Sequence, residues 1–294
     1  MSTNSTTGTS RRDADFNGAG ELQCRAHYRA LKSGELEDMQ SMMDYIKESG
    51  DPAIAYRWRR AVTDIKNILE TSAELYGDKP LFLQKFENDQ PFQEISYSKV
   101  LTDVNALGTA LIELGLKGKH VGVIGKNCYE WAESYLAVVC GTGVIVPLDK
   151  ELNEDELAHL TAGGELSAVI TMDKHYDMFK RIKDRDDNSL KLVINAGMHS
   201  HENEHKGLLS WHKLRERGYE LVEAGDRSFI DAEIVNTDLA VILFTSGTTG
   251  TSKGVMLSNR NISSNVMLAQ SFIDIQPGDV FFSVLPIHHT YECT

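Results

Sequence analysis

The residues best suited to chemistry lie in one run, TSGTTGTSKG, which extends from Thr245 to Gly254. Its three glycines let the backbone turn tightly and bring N–H groups close to a ligand, and the Ser and Thr hydroxyls add further donors. Lys253 adds one positive charge that can meet phosphate oxygens without a fixed geometry. A run of this composition can surround an anion, so it predicts a phosphate-binding loop, with a flexible loop that binds nothing as the alternative.

The spacing within the run argues against a P-loop NTPase. That class needs G-x-x-x-x-G-K-[ST], followed directly by a helix whose N-terminus faces the phosphates. Here two residues separate Gly250 from Lys253, and Gly254 stands where Ser or Thr is required. The sequence therefore disfavours the P-loop reading.

The flanking residues indicate how the loop is held. Leu239 to Phe244 is a continuous apolar run that predicts a buried strand, and Val255 to Leu257 also reads as a strand. The next helix begins only after the capping signals at Ser258 to Asn261. We therefore predict a loop that joins two strands.

Upstream of the loop, short apolar runs alternate with helical segments. Asn127 with Glu130, and Asn153 with Glu156, have the spacing of a capping box, which predicts a helix start at each. Alternation at this period indicates βαβ crossovers, so we expect an α/β fold with a mostly parallel sheet flanked by helices. The predicted strands are HVGVIG, VIVPL, SAVITM and KLVINAG. The predicted helices include one with Ile65, Ile68, Leu69 and Ala73 on one face that ends near Gly77, Ser98 to Leu114, DKHYDMFKRIKDR and LLSWHKLRERGYEL.

We divide the chain into four parts. Residues 1–20 are rich in Ser, Thr and Gly and predict a disordered tail, and residues 21–61 predict a helical extension with a methionine stripe. Residues 62–235 form the α/β subdomain, and residues 236–294 begin a second subdomain that carries the phosphate loop. A polar loop lies between residues 197 and 207; we read its histidines as solvated and expect no metal site there, because no regular element fixes their geometry. They are His199, His201 and His205.

Composition limits the partners and the compartment. The chain has 294 residues, 41% of them hydrophobic, and a net charge of −13, which argues against nucleic acid as a partner because phosphate neutralisation needs a basic face. The four cysteines show no paired spacing, and the N-terminus has no apolar signal region, so we expect a reducing, cytoplasmic setting. The longest uncharged stretch, Ser134 to Leu148, is too short to span a bilayer.

The motif resembles the phosphate-loop signature T-S-G-T-T-G-x-S-K-G of the adenylate-forming enzymes, a superfamily of acyl-CoA synthetases, luciferases and peptide-synthetase adenylation domains. The E-W pair at Glu130 and the V-P-L-D strand ending at Asp149 are similar to that family's N-terminal region. The closing LPIHHTYE resembles its L-P-x-x-H motif, with His289 on the motif's histidine. The resemblance runs from about Val62 to the last residue, and within the superfamily it is nearest to long-chain fatty acyl-CoA synthetases.

The resemblance implies an ATP-dependent acid:CoA ligase. A fatty acid would be activated as acyl-AMP with release of pyrophosphate, and the acyl group would then pass to coenzyme A; Mg²⁺ would neutralise the departing pyrophosphate. Lys253 and His289 would be catalytic, and His289 with Tyr291 would lie near the acyl carboxylate. The residues expected to wrap the β- and γ-phosphates, assisted by Lys253, are Thr245, Ser246, Gly247, Thr248, Thr249 and Gly250.

Members of that family continue well beyond the point that this sequence reaches. In them the ribose-binding aspartate, the adenine segment, the hinge and the mobile domain with a catalytic lysine all follow. The resemblance therefore implies an incomplete enzyme, and we expect these 294 residues alone to be inactive. The alternative is a non-catalytic paralogue that keeps the fold as a binding module.

Overall fold

The computed structural model describes residues 62–86, 89–197, 207–245, 252–272 and 278–289. The predicted tail and helical extension, the three histidines of the polar loop, and Tyr291 lie outside these ranges. Within them the helices are α1 (Ile65–Tyr76), α2 (Tyr97–Glu113), α3 (Tyr129–Ala137), α4 (Glu154–Gly163), α5 (Tyr176–Lys183), α6 (Trp211–Glu223) and α7 (Asn259–Phe272). A π-helical turn, Val138–Thr142, follows α3, and a 3₁₀ turn, Asp173–His175, precedes α5.

The strands form one hairpin and one large sheet. The hairpin pairs β1 (Pro80–Gln84) with β2 (Gln93–Ser96). The sheet has the order β7-β6-β5-β3-β4-β8-β9, and its neighbours are parallel except for the antiparallel pair β8 and β9. Its strands are β3 (His120–Ile124), β4 (Val144–Leu148), β5 (Leu166–Thr171), β6 (Leu192–Asn195), β7 (Leu208–Ser210), β8 (Leu239–Thr245) and β9 (Lys253–Ser258).

Helices cover both faces of this sheet, which confirms the predicted fold class. Successive strand side chains point to opposite faces, so Ile145 joins one buried apolar cluster while Val146 joins the other. The first cluster also holds buried residues of α1, α2, α3 and α6, and the second holds residues of α4 and α5. Full burial of one such aliphatic side chain stabilises the fold by roughly 2 kcal/mol.

The strand order contains a reversal that matters for ligand binding. From β3 the chain crosses to β4 on one side, and from β4 it crosses back to β5 on the other side of β3. In open α/β sheets, ligands bind outside the carboxyl ends of the strands at such a point. The carboxyl ends of β3 and β4 are therefore the place to look for a site.

One of the two predicted capping boxes is confirmed. The Asn153 side chain accepts from the backbone N–H groups of Asp155 and Glu156, each at 3.0 Å, and the Glu156 carboxylate accepts from the Asn153 N–H at 2.9 Å. These contacts satisfy N–H groups at the start of α4 that have no partner within the helix.

The other capping box is wrong. Helix α3 is capped at Cys128, which makes no side-chain capping bond, and Asn127 lies outside the helix. The Tyr129 N–H is instead satisfied by the side-chain oxygen of Gln84 at the end of β1. Asn127 is thereby left available for contacts elsewhere.

Two further corrections concern short strands. Leu208 to Ser210 was predicted as part of a helix, but it forms β7 because it pairs with β6, with Val193 opposite Leu208. The β1–β2 hairpin was not anticipated. The predicted division of the chain at residue 236 stays a prediction; β8, which follows it, pairs with β4 in the same sheet.

A buried polar network joins α2, α3 and α6. The Asp103 carboxylate accepts from the Tyr129 hydroxyl at 2.7 Å and from the Tyr219 hydroxyl. Arg215 donates to Glu133 at 3.0 Å, and its Nη1 lies 3.7 Å from Asp103. Asp103 and Glu133 are almost fully buried, so their carboxyl groups find hydrogen-bond partners in these side chains and not in water.

The same three-helix face requires a very close approach of α6 to α2. A Cβ added at Gly218 would lie 1.9 Å from the Ala106 carbonyl oxygen, far inside contact distance. Glycine at this position therefore sets the spacing of the two helices. None of the helices in the described ranges has the length and apolar character needed to cross a membrane.

Candidate functional site

The predicted phosphate loop lies between two paired strands, as expected. Thr245 ends β8 and Lys253 begins β9, and the two are partners in the antiparallel register. The Thr245 hydroxyl is 3.5 Å from the Lys253 carbonyl oxygen, and both residues are exposed. Residues 246–251, which include Ser246 to Gly250 of the predicted site, lie outside the described ranges. The structure thus fixes both ends of the loop.

Thr245, the residue that precedes the loop, ends β8 at the carboxyl edge of the parallel sheet, beside the reversal in strand order. Strand β8 pairs in parallel with β4, with Ile145 opposite Val241. Continuing that register to the ends of the strands brings Asp149 level with Thr245. The loop after β8 and the turn after β4 therefore share one edge with the turn after β3.

The segment that carries the predicted histidine is held against the same edge. Asn127, just beyond β3, donates to the Ser283 hydroxyl at 2.8 Å and to the Leu285 carbonyl at 2.7 Å. Its side-chain oxygen accepts from the Ile287 N–H at 3.2 Å. Residues 283–287 thus lie at the carboxyl end of β3.

Two histidines follow directly. The rings of His288 and His289 have centroids 4.4 Å apart, and His288 Nε2 lies 3.7 Å from Asp149 Oδ2. Burial lowers the pKa of His288, whereas the carboxylate of Asp149 acts to raise it. His289 is exposed, so its ring is open to a ligand.

The described ranges contain three of the predicted site residues, Thr245, Lys253 and His289. Thr245 and Lys253 bound the loop, and His289 lies on the segment at the neighbouring strand ends. Sequence reasoning did not assign Asp149 and Asn127 to the site. Asp149 directly follows a buried strand at its carboxyl end, a position that favours a role in binding. Asn127 had been given to a helix cap.

An edge with these groups can hold an anion and a carboxylate side by side. Lys253 supplies an exposed positive charge and Thr245 an exposed hydroxyl, and His288 lies beside Asp149, the residue that follows β4. No cluster of three or more His, Cys, Asp or Glu side chains suited to a metal ion occurs among the described residues.

Comparison with known proteins decides the family. The model of the family described as AMP-binding enzyme matches residues 69–294, which is most of the chain. The chain belongs to the AMP-binding enzyme family. The predicted recognition of an adenylate-forming enzyme is confirmed.

Curated relatives of this AMP-binding chain include fatty-acid ligases. It is 27% identical over 273 residues to a chloroplastic long-chain-fatty-acid–acyl-carrier-protein ligase of Arabidopsis thaliana, covering 89% of this chain and 37% of that protein. It is 31% identical over 220 residues to long-chain-fatty-acid–CoA ligase 5 of Rattus norvegicus, covering 69% of this chain and 31% of that protein. The chain thus spans about a third of the length of these relatives.

Solved structures agree on the fold. A long-chain-fatty-acid–CoA ligase from Archaeoglobus fulgidus matches with a TM-score of 0.65 at 20% identity, covering 80% of this chain and 44% of that one. ATP-bound MatB from Rhodopseudomonas palustris matches with a TM-score of 0.59 at 26% identity, covering 79% and 42%. The α/β architecture of this AMP-binding chain is therefore that of known adenylate-forming enzymes.

Proposed function

We propose that this chain supplies the phosphate-binding part of an ATP-dependent acid:CoA ligase that activates a fatty acid as acyl-AMP and then forms the thioester. The observation that carries the proposal is the strand–loop–strand unit of Thr245 and Lys253 at the carboxyl edge of the sheet. The family match and the fatty-acid ligases among the relatives support it. These relatives also support coenzyme A or an acyl-carrier protein as the acceptor class.

In this proposal the loop from Thr245 to Gly250 wraps the β- and γ-phosphates of ATP with backbone N–H groups and hydroxyls. Lys253 offsets the negative charge that grows on the leaving pyrophosphate. Both effects act by position and electrostatics, with no covalent nucleophile from the protein. The substrate carboxylate attacks the α-phosphorus, the bond from that phosphorus to the bridging oxygen breaks, and pyrophosphate leaves.

We place the carboxylate end of the acyl substrate near His289 and Tyr291. His289 is exposed and lies two residues beyond Ile287, whose N–H is bonded to Asn127 at the carboxyl end of β3, and this supports the placement. Mg²⁺ is bound in nucleotide enzymes by one or two protein carboxylates together with phosphates and waters, so it needs no dedicated cluster in the protein. The sparse carboxylates at this edge, such as Asp149, fit an ion that arrives with the nucleotide.

We also propose a reducing compartment such as the cytoplasm. Cys128 and Cys140 are free thiols, as they would be in such a compartment.

Calorimetric titration with ATP and with AMP tests the proposal. Because the proposed contacts are made to the β- and γ-phosphates, ATP should bind at least about ten times more tightly than AMP, a difference of roughly 1.4 kcal/mol. Equal affinities, or no binding of either nucleotide, would remove the phosphate loop from the function. Acid-dependent exchange of pyrophosphate into ATP, measured with palmitate, then reports whether adenylation occurs.

A further inference from the structure

We propose that Asn127 is a positioning residue that fixes the His288–His289 pair at the carboxyl edge of the sheet. The inference rests on the proposed function, because the role of His289 is assigned there. It assigns to the turn after β3 a task in the site that neither the motif nor the family match indicates.

Asn127 uses its whole side-chain amide in this contact. An asparagine side chain offers two N–H donors and one carbonyl oxygen, and in Asn127 all of these groups are used. They reach Ser283, Leu285 and Ile287, which are alternate residues of one segment lying 156 to 160 positions further along the chain. One amide therefore holds this segment at three points, through the Ser283 hydroxyl and through the backbone at Leu285 and Ile287.

The bound stretch leads straight into the histidines. Beyond Ile287 the chain turns, and the His289 N–H donates to the Pro286 carbonyl at 3.0 Å. Ile287, the last of the three residues bonded to Asn127, thus lies inside the turn that carries both rings. A displacement at Ile287 would move His289 directly.

The turn that carries Asn127 is closely packed against its neighbours. It follows buried Ile124 at the end of β3, and a Cβ added at Gly125 would lie 2.2 Å from Met172 Cγ, so the turn is packed closely against its neighbour. The first N–H of α3 is satisfied by Gln84, so Asn127 is not needed as a cap. A site residue held by a fixed supporting group keeps its geometry better than one held by a loop.

Burial contributes little to holding the preceding part of the segment. Val280, Phe281 and Phe282 are 75%, 67% and 81% exposed. Ile287 packs partly against the core, and the contact of His288 with Asp149, at 3.7 Å, is longer than a hydrogen bond. Directional bonds from Asn127 are therefore the main restraint that the described residues provide near the histidines.

The test compares Asn127→Ala with the matched control Asn188→Ala in the full chain. Asn188 also uses its whole amide: it donates to the carbonyls of Ile182 and Arg185 and accepts from the Leu190 N–H. Hydrogen–deuterium exchange should become about tenfold faster in residues 283–289 in Asn127→Ala and stay unchanged there in the control. Circular dichroism and thermal unfolding check that each variant is folded.

A second readout separates positioning from simple support. In NMR spectra of the histidine rings, Asn127→Ala should shift the signals of His288 and His289, whereas Asn188→Ala should leave both in place. Faster exchange without any change in the ring signals would show that Asn127 only supports the backbone, and would overturn the proposal. Unchanged exchange would overturn it as well.

Ser283→Ala provides a milder variant in case Asn127→Ala does not fold. It removes one of the three contacts, so exchange in residues 283–289 should rise less than in Asn127→Ala but above the wild-type rate; no rise would count against the proposal. These readouts need no nucleotide. Failure of ATP to bind would thus refute the proposed function, while failure of the exchange and ring-signal changes would refute the role of Asn127.

Discussion

His288 and Asp149 face each other across the carboxyl edge of the sheet, with Nε2 of the ring 3.7 Å from Oδ2 of the carboxylate. Opposing effects act on the pKa of this ring. Burial lowers the pKa of His288, and the negative charge of Asp149 acts to raise it. Burial is the larger effect, so the neutral ring is favoured near neutral pH.

The Asp149→Asn variant should lower the pKa of His288 further, because the amide removes the attractive charge and leaves burial in place. An NMR pH titration of the histidine rings measures this directly. Asp177→Asn, an exposed carboxylate on α5, is the control and should leave the titration of His288 unaltered. A rise in the pKa in Asp149→Asn would contradict the assignment.

The sign of the stability effect follows from the same shift. A histidine with a lowered pKa in the folded state takes up fewer protons than in the unfolded chain. The stability that the neutral His288 ring contributes is therefore lost as the pH falls below 6.5, the ordinary pKa of a histidine. In Asp149→Asn this loss should be larger.

Lys253→Ala should weaken ATP binding by roughly tenfold, since a single charge–phosphate contact near a protein surface contributes on the order of 1.4 kcal/mol. AMP binding should change less. The matched control is Lys191→Ala: Lys191 is also exposed, but it precedes β6 at the opposite, amino edge of the sheet. Equal losses in both variants would mean that the overall charge, and not the loop, governs binding.

Glu133→Gln should flatten the pH dependence of stability. Burial raises the pKa of Glu133 to about 8, with Arg215 opposing the shift. Because the pKa is raised, the stability that Glu133 contributes is fully present when the pH is below 4.5, its pKa in the unfolded chain. This stability is lost as the pH rises through about 8. The wild-type Tm should thus fall between pH 5 and pH 8, and it should fall less in Glu133→Gln, since an amide does not ionise.

Glu113→Gln is the control for that experiment. Glu113 is half-exposed, and its hydrogen bond to Arg217 lowers its pKa. Glu113→Gln should therefore leave the decrease of Tm between pH 5 and pH 8 as steep as in the wild type. Identical slopes of Tm against pH in wild type and Glu133→Gln would show that the buried carboxyl does not titrate in this range.

Gly218→Ala should reduce the free energy of unfolding by about 2 kcal/mol, because the new methyl group would overlap the Ala106 carbonyl and force α6 away from α2. Urea denaturation measures the change. Gly163→Ala, at the last residue of α4, has open space around its Cβ and should be neutral or slightly stabilising. Comparable losses in both would mean that overlap with the Ala106 carbonyl does not determine the effect.

Local signals in the sequence predicted much of the fold. Strands buried on both faces read as continuous apolar runs, which is why β3, β4 and β8 were found. The Asn153–Glu156 box was also found, because its partners lie three residues apart. Strand β7 was missed, because it has only three residues and depends on pairing with β6.

In the candidate site, too, local features could be predicted and contacts between distant residues could not. The run around Thr245 and Lys253 is contiguous, so its strand–loop–strand setting could be predicted. The contact between Asp149 and His288 joins residues far apart in the chain, and no spacing rule reveals it. Asn127 has the spacing of a helix cap, but its side-chain amide forms hydrogen bonds with two acceptors and one donor about 160 residues further along the chain.

Lys66 sets a practical limit on how far this protein can be shortened. The family match starts at residue 69, yet the buried Lys66 ammonium donates to the carbonyls of Phe229, Ile230 and Ala232 at 3.2, 2.8 and 2.7 Å. A chain trimmed to the match would leave these oxygens without their donor, at a cost of about 1–3 kcal/mol for each that stays buried. A protein expressed from residue 69 would therefore lack the hydrogen bonds that join α1 to the residues preceding β8. An expression boundary should instead lie before α1.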